Sequence, residues 1–109
     1  MRYTISYHNT EIGDHFDLFL ENSGDSLYTY EFRTELFLNF LRGEEISASK
    51  KENHRLKYLD FEGDISDGRG FVKIVEKGEY WSQISENFKK ICIQRKKFEL
   101  FLRVCAEKN

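Results

Sequence analysis

The chain has 109 residues, with 17 basic and 19 acidic side chains, a net charge of −2, ten Phe, six Tyr, one Trp and no Pro. That length supports one hydrophobic core and one domain spanning residues 1–109, and the near-neutral charge excludes a molecule-wide electrostatic footprint for nucleic acid, so any such contact needs a local basic patch. The longest apolar run, "LFLNFL", is far short of the roughly 20 residues a membrane helix needs; Cys92 and Cys105, with no signal peptide ahead of them, read as two isolated thiols of a reducing cytoplasm.

Residues 2–8, "RYTISYH", alternate Tyr3, Ile5 and Tyr7 against Thr4 and Ser6, the period of a strand. "NTEIGD" (9–14) breaks the pattern, with Gly13 as the turn residue. "HFDLFLE" (15–21) alternates again, with Phe16, Leu18 and Leu20 on one face and His15, Asp17, Phe19 and Glu21 on the other. "NSGD" (22–25) is a turn and "SLYTYEF" (26–32) its hairpin partner. "RTELFLNFL" (33–41) alone has helical spacing, through Leu36, Phe37, Phe40 and Leu41. "EEISAS" (44–49) reads as a short edge strand and "KKEN" (50–53) as a charged loop. The strand signal resumes in "RLKYLDF" (55–61), pauses in the glycine-rich "EGDISDGRG" (62–70), and returns in "FVKIVE" (71–76). A Lys77-Gly78 turn then leads to "EYWSQI" (79–84). A last hairpin pairs "NFKKICI" (87–93) with "FELFLRVCA" (98–106) across a "QRKK" turn. Short strands with turn signals roughly every 8–12 residues, and a heavy aromatic load, predict a mainly β fold. The expected architecture is a small antiparallel barrel, closed or crescent-shaped, of about eight strands with at most one short helix within 33–42.

Two constellations carry chemistry. His15 and Asp17 are two apart on a strand, so both leave the same face, roughly 7 Å apart at Cα. His8 ends the preceding strand and can return beside His15. Two imidazoles and a carboxylate make a facial ligand set for a divalent transition metal. The plainer reading is that His-x-Asp is a weak motif and that a histidine near a strand end is more often solvated. His54 and Tyr58, four apart, share a face if the segment is extended, and both can donate to an anionic oxygen. Arg69, flanked by glycines in "DGRG", sits in a turn whose amides can approach a phosphate. The plainer reading of Gly63, Gly68 and Gly70 is a wide turn and bulge.

Lys89, Lys90, Arg95, Lys96 and Lys97 gather at one predicted hairpin, where they can hold a nucleic-acid backbone or simply protect an exposed edge. Tyr80 and Trp81 can stack a base, although core packing is the commoner use of such a pair. Asp60 and Glu62, at a tight turn, read as hydrogen-bonding or charge-balancing groups. Cys105 reads as a buried edge residue.

The run "HRLKYLDFEGDISDGRGFVKIVEKGEYW" resembles a signature of the 3′-phosphoesterase domain of bacterial DNA ligase D and its small standalone relatives. "HNTEIGDHFDLFLE" is similar to the family's other signature, and its aliphatic "DLFLE" is like that of the standalone branch. Order, direction and separation agree over about residues 3 to 104. The resemblance implies a divalent metal, manganese before zinc or another transition metal, held by His15 and Asp17 with His8 as the first histidine ligand. It implies His54 as the histidine that contacts phosphate, with Tyr58 close to it, and nucleic-acid or phosphate contacts from Arg69, Lys89, Lys96 and Lys97. The substrates would be DNA or RNA 3′ ends bearing a 3′-phosphate or 3′-ribonucleotide. The protein would be a monomer working off the membrane, with a ligase or polymerase supplied by another chain. The chain departs from the family at Phe19, where the ligase domain has an arginine that clamps phosphate. His54 is accordingly expected across the metal from Phe19. A catalytically weakened member, serving as a nucleic-acid- or protein-binding module, is the alternative, and a plain structural barrel the third reading.

Overall fold

Alternation in the first two segments decides which face of the sheet is apolar. The structure, a computed structural model, describes residues 1–82, 84 and 87–105. Strands β1 (Arg2–Thr10) and β2 (Gly13–Leu20) form an antiparallel hairpin about Glu11 and Ile12, with Tyr3 opposite Leu20, Ser6 opposite Asp17 and His8 opposite His15. The chain continues through β3 (Ser26–Phe32), a 3₁₀ turn (Thr34–Leu36) and the short helix α1 (Phe37–Leu41). Then follow β4 (Ile46–Arg55), a second 3₁₀ turn (Leu56–Leu59), β5 (Gly63–Asp64), β6 (Phe71–Tyr80), β7 (Lys90–Lys96) and β8 (Glu99–Val104).

The strand order is β1-β2-β3-β4-β7-β8-β6-β5, and β6 also pairs with β1, so hydrogen bonds run round a closed ring with β5 attached to β6. Among the described residues the mainly β fold, with eight strands and one short helix, is therefore as the sequence predicts. Tyr3, Ile5, Leu18, Leu20, Ile91 and Ile93 point into the ring and are fully or almost fully buried. One end is filled from α1: Phe16 stacks between Phe32 and Phe37, at 5.3 and 4.2 Å between ring centroids, and Phe40 is buried beside them. Charges admitted to this interior are paired, as burial demands. Arg95 Nη2 lies 2.6 Å from Glu76 Oε1, and the Tyr3 hydroxyl donates to Glu76 Oε2 at 2.7 Å.

The alternate residues of the same strands face outward. There a second, smaller cluster forms from Phe19, Leu27 and Leu59, with Tyr58 packed against it. The segment from Leu56 to Gly70 lies across this outer face. It is tied down by Thr4 Oγ1, which donates to the Leu59 carbonyl at 2.7 Å, and by the pairing of β5 with β6. Gly70 makes that approach feasible: it sits at φ +95°, and a Cβ there would lie 1.7 Å from the Asn9 carbonyl oxygen.

Several local expectations are corrected. Residues 44–49 and 50–53 are not an edge strand and a loop. From Ile46 on they belong to one ten-residue strand, β4, which pairs with β7 over Ile46–Ser49 and with β3 from Ser49 to Arg55, because charged residues on its outer face cost nothing while Ile46 and Ala48 fill the interior. Residues 56–59 are 3₁₀ rather than extended, which buries Leu59 against the outer cluster. Lys77-Gly78 is no turn: Gly78 lies inside β6, where a Cβ would come 2.6 Å from the Phe98 carbonyl and 2.7 Å from the Tyr3 ring.

The "QRKK" turn is likewise shorter, since Gln94–Lys96 belong to β7 and the reversal falls at Lys97 and Phe98. The sheet is not wholly antiparallel, because β8 meets β6 in parallel at Glu79↔Glu99 and Tyr80↔Leu100 to close the ring. Cys92 and Cys105 are joined in a disulfide, their Cα atoms 5.2 Å apart. The reading of two isolated thiols is wrong, and the compartment inferred from them loses that support. Of the strands expected at 79–84 and 98–106, residues 83 and 106 lie outside the described residues. Among the described residues no helix is long and apolar enough to cross a membrane.

Candidate active site

Period-two alternation that sends Leu18 inward sends Asp17 and Phe19 outward, and it does the same for Ser6 and His8 on β1. The hairpin register then brings the chemistry together. His8 and His15 are direct cross-strand partners, their rings edge to face at 4.9 Å between centroids. Asp17 sits two residues along β2, only 4% exposed. One donor atom from each of His8, His15 and Asp17 lies within 4.8 Å of the other two.

Each imidazole is gripped from behind. His15 Nε2 is 3.1 Å from Asp17 Oδ1, and its Nδ1 is 3.1 Å from Glu31 Oε1. His8 turns Nδ1 toward Asp17 Oδ2 at 3.7 Å while its Nε2 donates to the Arg69 carbonyl at 3.2 Å. Glu31 faces the site because it is the β3 partner of Asp17, and Lys51 Nζ holds its other oxygen at 2.8 Å.

An imidazole whose outer N–H is taken by a carboxylate or backbone carbonyl presents the remaining nitrogen as a ligand. Both histidines have that arrangement, with the inner nitrogens converging on a carboxylate. The donor set of two imidazoles and one carboxylate fits a divalent transition metal.

The electrostatics agree with the geometry. The Asp17 carboxylate raises the His8 imidazole above its ordinary range, against the opposing pull of burial. Burial pushes the Asp17 carboxyl upward, but hydrogen bonds from His15 and His8 outweigh it and hold the group below the usual carboxylate range.

Beside this cluster lies a cavity of about 130 Å³, walled by His8, Asp17, Phe19, His54, Tyr58 and Arg69 among others. His54 reaches it from the end of β4. Its Nδ1 donates to the Glu52 carbonyl at 3.0 Å and to Thr29 Oγ1 at 3.1 Å, and that hydroxyl in turn donates to the Leu27 carbonyl at 3.2 Å. The proton on Nδ1 is therefore fixed, and Nε2 is the nitrogen left for a ligand. Tyr58 meets His54 edge to face at 5.4 Å. The shared face expected of an extended segment is achieved instead by the 3₁₀ turn. Phe19 does not stand across the His/His/Asp cluster from His54; their ring centroids are 5.2 Å apart, on the same side. The Arg69 guanidinium turns back on its own loop, donating to Ser66 O and Oγ at 3.0 and 3.3 Å.

The basic residues do not form one patch. Lys89 adjoins β4, its carbonyl accepting from Lys50 N at 2.8 Å, whereas Lys96 and Lys97 lie at the other end of β7. Tyr80 is core, while Trp81 is largely exposed. Asp60 pairs with Lys77 and Glu62 accepts from Ile74 N, the structural uses expected of them. Sequence reading missed Glu31, Thr29 and the Arg69 carbonyl. The only signal for Glu31 was one acid on the polar side of "SLYTYEF", and it gains meaning only once register is known.

The fold and site together make a β domain whose ring of strands carries an outward-facing His/His/Asp cluster beside a histidine- and tyrosine-lined cavity. The DNA ligase D 3′-phosphoesterase domain matches residues 6–106, and the chain belongs to that family. No curated protein matches the chain.

Proposed function

We propose that the chain is a divalent-metal-dependent phosphoesterase, manganese being the preferred metal, that removes a 3′-phosphate or 3′-ribonucleotide from DNA or RNA ends. The observation that carries this is the pair of anchored imidazoles, His15 held by Glu31 and His8 by the Arg69 carbonyl, both aimed at Asp17. His8, His15 and Asp17 would hold the cation, which when bound polarises a phosphoryl oxygen and acidifies a water. The cavity next to the cluster orients the phosphate. His54, its Nδ1 held by the Glu52 carbonyl and Thr29 Oγ1 and its Nε2 left for a ligand, meets a phosphate oxygen and stabilises charge in the transition state. Tyr58 keeps that ring in place.

The test is manganese-dependent turnover of an oligonucleotide ending in a 3′-phosphate or a single ribonucleotide, lost in His15→Ala and His54→Ala. Silence of the wild type at saturating metal would overturn the hydrolase reading. A second reading is favoured by Phe19, which makes an apolar wall where the resemblance implies a phosphate-clamping arginine. In it the protein binds nucleic-acid or protein partners with little or no catalysis.

A further inference from the structure

The register of the outer face runs past the metal cluster. Cross-strand partners form one continuous row, Ser6↔Asp17↔Glu31↔Ser49↔Lys90, from β1 through β2, β3 and β4 to β7. Alternation puts all five on the outer side, since Ile5, Leu18, Tyr30, Ala48 and Ile91, each next in sequence to one of them, are buried in the ring. Along this row the face opens into a groove of about 360 Å³, lined by Asp14, His15, Glu31, Arg33, Glu35 and Ser49 among others, with Lys90 the next rung beyond Ser49. Its acidic groups each have a partner: Glu31 is held by Lys51 and His15, Glu35 by Arg33, Asp14 accepts from the Tyr7 hydroxyl, and Asp17 lies against the two histidines. At the far end Lys90 is exposed, and among the described residues its side chain has no ion-pair or hydrogen-bond partner. Lys89, also exposed, precedes it.

We propose that this groove is the track of the substrate strand, with the reacting 3′ end at the His/Asp cluster and an upstream phosphate on Lys90. The proposal rests on the phosphoesterase reading and adds to it a direction and a minimum length. Strands in a sheet lie about 4.8 Å apart, so three steps from Asp17 bring Lys90 to about 14 Å. A stacked single strand advances about 3.4 Å per phosphate, which sets Lys90 about four nucleotides from the end. The partner is therefore a single-stranded end of at least that length, held through its backbone and without base reading. Lys96 and Lys97, at the opposite end of β7, are off this path.

The test compares the wild type, Lys89→Ala/Lys90→Ala and Lys96→Ala/Lys97→Ala. The probes are a dinucleotide and a single strand of about twelve nucleotides, both ending in a 3′-phosphate, the longer one spanning the track several times over. The Lys89/Lys90 change should raise KM for the long strand several-fold more than the Lys96/Lys97 change does, without lowering kcat. It should cut the salt slope of binding by about 0.7 per lysine, and it should have no comparable effect on the dinucleotide. Fluorescence anisotropy with the labelled long strand reads the same difference without turnover. Length-dependent loss of binding in a protein that hydrolyses neither probe would keep the track and end the hydrolase reading. Hydrolysis of both probes with equal effects of the two double changes, or an equal loss on the dinucleotide, would overturn the track and leave the hydrolase reading standing.

Discussion

Removing Glu31 tests the candidate centre without touching a proposed ligand. In Glu31→Ala, His15 loses the carboxylate that fixes Nδ1 at 3.1 Å, so its ring and tautomer are no longer set for a cation. Loss of such an outer partner costs about 10–100-fold in metal affinity, or about 1.4–2.7 kcal/mol of linked stability at metal concentrations well above either Kd. At about 2.1 cal/mol/K per residue, a chain of this length unfolds with an entropy of about 0.23 kcal/mol/K. The rise in Tm on adding manganese should therefore be smaller in Glu31→Ala than in wild type by about 6–12 °C. Differential scanning fluorimetry with and without manganese measures it, and comparing the two increments removes any effect of the change on the metal-free protein. Lys51→Ala is the control, because it breaks the Lys51–Glu31 pair but leaves the carboxylate on His15. An increment in Glu31→Ala equal to that of wild type, or equal losses in the two variants, would refute the reasoning.

Three other outcomes follow from the geometry. Gly70→Ala drives a methyl into the Asn9 carbonyl at a positive φ, so it should cost about 2 kcal/mol or more in a denaturant titration, and it should weaken manganese binding because Arg69 can no longer seat His8. Phe19→Arg places a cation in the cavity wall: turnover of a 3′-phosphate should rise by about one to two decades, while the substrate-free Tm falls because Phe19 is only 1% exposed. Unchanged turnover with intact folding would show that the wall does not face the phosphate. Burial pushes the Tyr30 and Tyr80 hydroxyls up to about 12 and raises Tyr3 as well. These groups keep their protons longer when folded, so their contribution to stability is complete below pH 10 and is lost as pH rises from there. Tyrosinate absorbance during an alkaline titration should lag behind that of the unfolded chain and then rise together with loss of the fold.

Much of the candidate site could be read directly, because His15-x-Asp17 needs only period two to share a face, and His8 needs only a hairpin. Glu31 and the Lys90 end of the row depend on register across strands far apart in sequence, which periodicity does not encode. The helical spacing of Leu36, Phe37 and Phe40 was legible because an apolar face must cover the open end of the ring. The 3₁₀ turn at Leu56–Leu59 was not, since "RLKYLDF" alternates like a strand and only the need to bury Leu59 on the outer face bends it. Charge in "KKEN" suggested a loop because the sequence could not show that β3 would lie beside it and extend the strand begun against β7. The cysteines, 13 residues apart, looked unrelated until the β7–β8 hairpin returned the chain beside itself.

The placement of donors and core on opposite sides of the same strands bears on how this sequence can vary. Deleting or adding one residue at the start of β2 would turn His15 and Asp17 toward the core and Phe16 and Leu18 out, so that one slip empties the polar cluster of two of its three side chains and breaks the core. The hairpin tip is under no such constraint. Ile12 there is 99% exposed, and the turn beyond Thr10 and Gly13 lies outside the paired rungs that hold His8 against His15. Length changes should therefore accumulate between the two histidines and be excluded on either side of them, leaving a spacer that varies between relatives while the imidazoles it joins stay in place.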